Sequence, residues 1–241
     1  MFTLEEFLKS LSQIILLAVA GSTLLNWARY RDRTRRDIAL VFVSLTATII
    51  LGGIQDLIGV QWLWLNKLGS LAVISHPYFL LRLAQYFRPV RKWIQYATLI
   101  GLAFTWIALL VYSQPSSAIT LLLIVYFVIV EAYATYILVK GALTIPGITG
   151  RRLRLVSVGS GLLALLFIVG IVLLLFNQKV NASPVLQSGF ASLLQVLVIL
   201  SGLSYYFGFS PPRWLRRYWQ LNELHYFLGR TSKRLAYDRL V

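Results

Sequence analysis

A few ionisable side chains lie inside long apolar runs of this 241-residue chain. Glu131 lies nine residues before Lys140, which at 1.5 Å per helical residue puts it about 13 Å from the nearest basic loop. His76 lies nine residues after Lys67, so the same arithmetic from the opposite side brings it to a similar depth. An ionisable group in an apolar interior needs a partner or a function, and a carboxyl and an imidazole at one depth could meet in a ligand pocket or a proton-sensitive switch.

Further residues extend this candidate intramembrane pocket or switch. Pro77 removes a backbone donor and frees the carbonyl of Val73, which favours a local polar pocket. Arg82 is a second candidate partner for Glu131, and Gln195 lies on a polar face of the last apolar run. The candidate set is therefore His76, Pro77, Arg82, Glu131 and Gln195. In the structural alternative, these groups only hold helices in register by hydrogen bonds.

The elements that must position these residues are membrane helices. A chain with 58% hydrophobic and 13% charged residues has too little polar surface to cover a water-soluble globule. Runs of about 20 apolar residues can cross a bilayer core of about 30 Å as helices. The sequence predicts an all-α, polytopic membrane protein, a seven-transmembrane-helix bundle with spans at 8–28, 37–55, 62–87, 93–113, 117–139, 154–176 and 185–208.

Basic residues fill every second gap between these runs, and all 23 Lys and Arg residues except Lys9, Lys67 and Lys179 lie on one side. Because Lys and Arg stay cytoplasmic during insertion, the N-terminus is expected outside and the C-terminus in the cytoplasm, in the plasma (inner) membrane. The formal net charge of +15 then meets anionic lipid headgroups at the cytoplasmic face, and no nucleic acid is expected as a partner.

Small and aromatic residues refine the spans. Tyr205 and Tyr206 are expected to mark the inner membrane boundary, and Ser157 and Gly161 to form a packing seam on the sixth span.

The segment 18–20 resembles a signal-peptidase site, at which cleavage would remove the first span. A retained helix is expected instead, because acidic residues precede the run and five arginines follow it.

Several kinds of chemistry are excluded by residue type. Without cysteine there can be no disulfide, thiolate metal site or cysteine nucleophile. No lysine occurs between Lys179 and Lys233 to bind retinal, and two histidines are too few for a dihaem cytochrome. Metal-ligand clusters and phosphate-binding loops are also missing from the sequence. The expectation is a protein that is not an enzyme and carries no cofactor.

After the last span, the chain is expected to form a second unit. Residues 1–209 are predicted to be the membrane domain and residues 210–241 an amphipathic cytoplasmic helix. Ser210 followed by two prolines is typical of a helix start. The candidate output connector consists of Pro211, Pro212, Arg213, Trp214, Arg216 and Arg217.

The stretch 207–217, which reads Phe-Gly-Phe-Ser-Pro-Pro-Arg-Trp-Leu-Arg-Arg, resembles the N-terminal seven-helix membrane sensor region of bacterial signalling histidine kinases and serine phosphatases. The resemblance covers these 11 residues and the general seven-helix plan. It implies a cytoplasmic signalling output domain, either further along the same chain or in a separate protein. It implies no catalytic residue in this region.

The function expected from these observations is a sensor or receptor module of a bacterial signal-transduction protein. It would detect a small ligand or the state of the membrane and relay it to the output domain, either alone or as a homodimer. Two alternatives remain open: a transporter or channel for ions or a small solute, with His76, Arg82 and Glu131 along its path, and a structural subunit of a membrane complex.

Overall fold

The protein is all-α throughout the residues that its computed structural model describes, which are 4–60, 62–112, 116–177 and 184–221. The seven long helices are α1 (Leu4–Tyr30), α2 (Arg33–Ile58), α3 (Leu63–Ala84), α4 (Lys92–Val111), α5 (Ser117–Thr144), α6 (Gly147–Asn177) and α7 (Pro184–Phe209). A further helical segment covers 213–221. The predicted all-α class is confirmed for this part of the chain.

The ends of these helices follow from local sequence. The Asp32 side chain accepts a hydrogen bond from the backbone N–H of Arg35 at 2.7 Å and so caps the start of α2. Gly59, with φ +71°, ends α2 in the left-handed conformation that glycine adopts without strain. α5 ends before Pro146 because the residue that precedes a proline is driven to an extended conformation, as Ile145 is here.

Six helices form a closed ring in which each packs against the next, in the order α1, α2, α3, α5, α6, α7 and back to α1. α4 lies outside the ring against α3 and α5. α3 therefore has neighbours on three sides, and most of its inward residues are buried. The main hydrophobic core fills the ring and includes Phe42, Leu80, Leu138 and Tyr205.

All the long helices except α3 are long and apolar enough to cross a membrane, six in all among the described residues, which indicates a multi-pass membrane protein. α3 falls short because polar residues, among them Asn66, Lys67 and His76, lower its mean hydropathy. Its buried position compensates for this, since a helix enclosed by α2, α4 and α5 exposes little surface to lipid.

The α1–α2, α3–α4 and α5–α6 connections and the segment after α7 lie at one end of the bundle, which we call the basic end because it carries most of the arginines. A cavity of about 680 Å³ at this end lies between the α1–α2 connection, the start of α6 and the segment after α7. This end is also where α7 leaves the core.

Candidate functional site

His76 on α3 and Glu131 on α5 meet inside the ring. The imidazole Nε2 lies 3.7 Å from the carboxyl Oε2, and both side chains are 0% exposed. Neither of these two buried atoms has a hydrogen-bond partner among the described residues, and each faces the other. The sequence prediction that these residues lie at a similar depth is consistent with this contact.

The other oxygen of the carboxyl group is fully engaged. Glu131 Oε1 accepts hydrogen bonds from Ser160 Oγ at 2.7 Å and from the Tyr205 hydroxyl at 3.3 Å. Thr135 lies 2.6 Å from the Ser160 hydroxyl and donates to the backbone carbonyl of Glu131 at 2.9 Å. One carboxyl group thus joins α5 to both α6 and α7.

The other face of the imidazole is fixed by α2. His76 Nδ1 lies 3.0 Å from the carbonyl oxygen of Val41, and the Ser44 hydroxyl lies 3.4 Å from the same nitrogen while donating to that carbonyl. The ring also stacks on Phe127, with centroids 6.1 Å apart. Because a carbonyl can only accept, the hydrogen-bond pattern assigns a proton to Nδ1.

This assignment leaves two net-neutral arrangements for the facing atoms, which at 3.7 Å do not form a hydrogen bond. With Nδ1 protonated, Nε2 of a neutral His76 is an acceptor, and only a protonated Glu131 can donate to it. The alternative is an imidazolium facing a carboxylate. Both arrangements are net neutral, whereas gain or loss of one proton leaves a full charge in a dry interior. The pair is therefore suited to respond to protons or to a polar ligand.

Two predicted members of the site lie elsewhere. Arg82 pairs with Asp37 rather than Glu131: its Nε lies 3.2 Å from Asp37 Oδ2, and this buried carboxylate also accepts from the Tyr86 hydroxyl at 3.0 Å. The prediction of Arg82 as a partner for Glu131 is therefore wrong. Asp37, which the sequence reasoning did not single out, anchors α3 to α2 at the basic end.

Gln195 pairs with α1. Its Oε1 accepts a hydrogen bond from the buried Ser12 hydroxyl at 2.8 Å. It lies ten residues before Tyr205 on α7, about 15 Å along the helix from the residue that contacts Glu131. Pro77, by contrast, is buried inside α3 directly after His76, as its sequence position requires.

Tyr205 is the residue that sequence reasoning misplaced. It was expected at the membrane boundary, but it is 0% exposed and bonds to Glu131. Helical side chains lean toward the N-terminus of their own helix, so the Tyr205 hydroxyl reaches deeper into the bundle than its backbone. One signal could have placed Tyr205 inside the bundle: it lies within two turns of the helix end and on the same face of α7 as the inward-facing residues.

From Tyr205, packed groups continue to the exit of α7. The rings of Tyr205 and Phe209 stack with centroids 6.1 Å apart, and both contact Phe42 on α2 edge to face. Arg152 on α6 donates to the carbonyls of Gly208 and Phe209 at 2.8 and 2.9 Å. The end of α7 is therefore attached to α2 by packing and to α6 by hydrogen bonds.

The predicted output connector begins directly after this point. Pro211 is buried and Pro212 half-buried, and the helical segment 213–221 carries Arg213, Trp214, Arg216 and Arg217 as exposed residues. Its first turn is closed by a bond from the Arg216 N–H to the carbonyl of Pro212, two residues later than the predicted start at Ser210. Residues 222–241 of the predicted amphipathic helix lie outside the described residues.

α6 and α7 approach each other closely at Gly159. A Cβ atom added there would lie 3.1 Å from the Ser201 carbonyl oxygen and 3.1 Å from the Tyr205 ring, and the Ser201 hydroxyl donates to the carbonyl of Gly159 at 2.7 Å. This contact lies between the predicted seam residues Ser157 and Gly161. It holds Tyr205 in reach of Glu131.

Comparison with known proteins adds no assignment. No protein-family model, curated protein or solved structure matches the chain. The interpretation of the site therefore depends on its own geometry.

Proposed function

We propose that this chain is the membrane sensor module of a signal-transduction protein, in which the proton shared by His76 and Glu131 controls the position of α7. The observation that carries the proposal is the hydrogen bond from Tyr205 to Glu131, one helical turn before α7 leaves the bundle. A change in charge at the pair would thereby reach the connector segment, which we define as residues 207–217.

The physical basis is a difference between two buried states. When the pair is net neutral, the carboxyl group keeps both hydroxyl donors and faces the imidazole across 3.7 Å. Gain or loss of one proton leaves a net charge in the ring, which favours any helix arrangement that admits water or a counter-charge. A proton or ligand shifts the equilibrium between two arrangements of the helices only as far as it binds one arrangement more tightly than the other.

The proposed topology has seven spans, with the N-terminus outside and the connector segment in the cytoplasm, in the bacterial inner membrane. The one-sided distribution of basic residues supports this orientation. For α3, support comes from its place in the ring, since a helix that packs against α2 and α5 along its length must run through the same layer. The resemblance at 207–217 supports an output domain in cis or in trans.

The experiment is a distance measurement between two spin labels. Because the chain has no cysteine, the double variant Arg88→Cys and Gln220→Cys carries labels only at these two exposed positions, one on the α3–α4 connection and one on the helical segment 213–221. In lipid nanodiscs, we expect the distance distribution to change between about pH 5 and 8. We expect no change when His76→Gln and Glu131→Gln are added together, because neither group of the pair can then ionise.

The matched control is Gln195→Leu in the same labelled protein. Gln195 is a polar residue of α7 bonded to Ser12 and not to Glu131, so its loss should leave the pH response intact. A distance that ignores pH in the unmodified bundle, or an equal loss of response in the Gln195 variant and in the variant that lacks both His76 and Glu131, would contradict the proposal. Proton flux through reconstituted liposomes that depends on Glu131 would favour a transporter instead.

A further inference from the structure

The 680 Å³ cavity at the basic end is a second candidate site, and it is separate from the His76–Glu131 pair. Three parts of the chain that are distant in sequence contribute to its wall: the α1–α2 connection, the start of α6 and the segment from Phe209 to the first turns of the following helix. A ligand in this cavity would contact the ring and the connector segment at the same time. We call it the basic cavity.

Charge is the first indication of what the basic cavity binds. Four of its lining residues are arginines, Arg35, Arg152, Arg213 and Arg216, and its single lining carboxylate is Asp32. That carboxylate is already engaged by the Arg35 guanidinium at 2.9 Å and by the backbone N–H of Arg35. The excess of positive charge therefore has no compensating acid among the lining residues, and like charges crowded together favour an anion.

Arg35 gives the second indication. Its guanidinium lies 3.7 Å from the centroid of the Tyr30 ring and pairs through Nε with Asp32, so its plane is held on two sides. Its Nη1 atom, however, is buried and has no hydrogen-bond partner. A cationic donor that lacks an acceptor is costly to bury, and an anionic oxygen in the adjoining cavity would satisfy it after a small rotation.

Arg152 contributes differently. Two of its donors are engaged by the carbonyls of Gly208 and Phe209, so it is held rigidly at the wall of the cavity while its charge remains. Arg213 and Arg216 are exposed on the helical segment that closes the cavity from the other side. Arg35 and Arg152, which are held in place on the ring by other contacts, therefore face Arg213 and Arg216 on the exposed helical segment. An anion between them would be surrounded by positive charge.

We propose that the basic cavity binds a phosphate group, with Arg35, Arg213 and Arg216 as its cationic ligands. Guanidinium groups match phosphate because their paired N–H donors meet two phosphoryl oxygens at once. The phosphate belongs either to an anionic lipid headgroup at the membrane surface or to a soluble phosphate compound. The proposal stands independently of the shared proton at His76 and Glu131.

The test uses the full chain in nanodiscs at fixed ionic strength, with two probes. In one arm, inorganic phosphate is titrated by calorimetry into protein in phosphatidylcholine nanodiscs. In the other arm, thermal unfolding is compared between phosphatidylcholine nanodiscs and nanodiscs that also contain phosphatidylglycerol. Binding in the first arm assigns a soluble source and stabilisation in the second a lipid source; either result supports the site.

Two pairs of variants test whether the calorimetric signal and the thermal stabilisation come from the basic cavity. Arg35→Gln is compared with Arg33→Gln, an exposed arginine of the same helical turn that does not line the cavity. The double variant Arg213→Gln and Arg216→Gln is compared with Arg91→Gln and Arg217→Gln, which removes the same charge from exposed positions at the same end. We expect cavity variants to bind about tenfold more weakly and the matched variants to bind as the parent does.

The double variant Arg213→Gln and Arg216→Gln is expected to fold, because both arginines are exposed and their replacement leaves the ring intact. Unfolding without either probe shows whether each variant is folded. If neither probe binds, the proposal is wrong. It is also wrong if the variants outside the cavity lose as much affinity as those inside, because binding is then due to the overall charge of this end.

Discussion

The two oxygens of Glu131 lie in different surroundings, and this asymmetry explains how a carboxyl group can be fully buried. Oε1 accepts from two hydroxyl groups, which satisfies it in either protonation state. Oε2 faces the His76 imidazole at 3.7 Å. Moving an isolated charge into such an interior costs several kcal/mol, and the burial of both groups is tolerable when the pair carries no net charge.

Glu131→Gln and Glu131→Leu should therefore separate charge from hydrogen bonding. The amide of glutamine can still accept from Ser160 and Tyr205 and can donate to neutral His76, so we expect a folded protein whose stability changes little. Leucine removes the acceptor of the Ser160 and Tyr205 hydroxyl groups and the carboxyl group that faces His76, and we expect a loss of about 3–5 kcal/mol. Unfolding monitored by circular dichroism in mild detergent measures both; equal stability of the two variants would contradict this account.

Tyr205→Phe tests the connection to α7. The ring contacts with Phe42 and Phe209 remain, while the hydroxyl bond to Glu131 is lost. Interhelical hydrogen bonds in membranes contribute on average about 0.6 kcal/mol, so the protein should stay folded. We expect the spin-label distance to lose its dependence on pH. Tyr206→Phe is the matched control, because Tyr206 lines the basic cavity instead, and it should keep the dependence.

At the scale of elements, α6 and α7 depend on Gly159 for their close approach. Gly159→Leu would place a side chain against the Ser201 carbonyl and the Tyr205 ring, and we expect a loss of about 1–3 kcal/mol. Gly170→Leu on the same helix is the control, since no neighbouring atom lies within 4 Å of an added Cβ there. Thermal unfolding of the two variants measures the difference, and similar midpoints would show that the helices are not packed as described.

The positions of the long helices were predictable, but their full lengths were not. α2 begins at Arg33 and α6 at Gly147, several residues before the apolar runs that predicted them at 37 and 154. A helix does not stop where the hydrocarbon does, because its backbone bonds continue through the polar headgroup region. Apolar content reports where lipid contacts the helix, whereas caps such as Asp32 report where the helix begins.

The site was predictable in part for a related reason. Counting residues from the end of an apolar run gives the depth of a residue in the bundle. This count predicted a similar depth for His76 and Glu131, whose side chains lie 3.7 Å apart in the structure. It does not give the order of helices in the bundle or the direction in which each residue faces. Arg82 and Gln195 have partners on α2 and α1 because those helices are their neighbours in the ring, which residue spacing alone does not reveal.

For the whole molecule, the closed ring and the outer position of α4 determine which faces are free for partners. α4 is the least enclosed of the seven helices and exposes large apolar residues such as Trp93, Ile100 and Phe104. In a membrane protein, an apolar outer face is expected because it contacts lipid. The functional groups are accordingly inside the ring or at its basic end.

The proposed seven-span topology makes a direct prediction for α3. Single cysteines at Val60, before α3, and at Arg88, after it, should lie on opposite sides of the membrane. With a maleimide that cannot cross the membrane, we expect labelling of the Val60→Cys variant in intact cells and labelling of the Arg88→Cys variant only after cell disruption. Labelling of both variants from the outside would mean that α3 does not cross.

The weak hydropathy of α3 also bears on how the protein is made. In the proposed topology, a segment with Asn66, Lys67 and His76 would enter the lipid poorly by itself, so its insertion during synthesis would depend on α2, its partner in the ring. Glu131 is synthesised only after α4 has followed, and until then the imidazole has no carboxyl partner. The His76–Glu131 pair is therefore completed only after α5 has been synthesised, and a chain that stops before α5 would carry a histidine without its carboxyl partner.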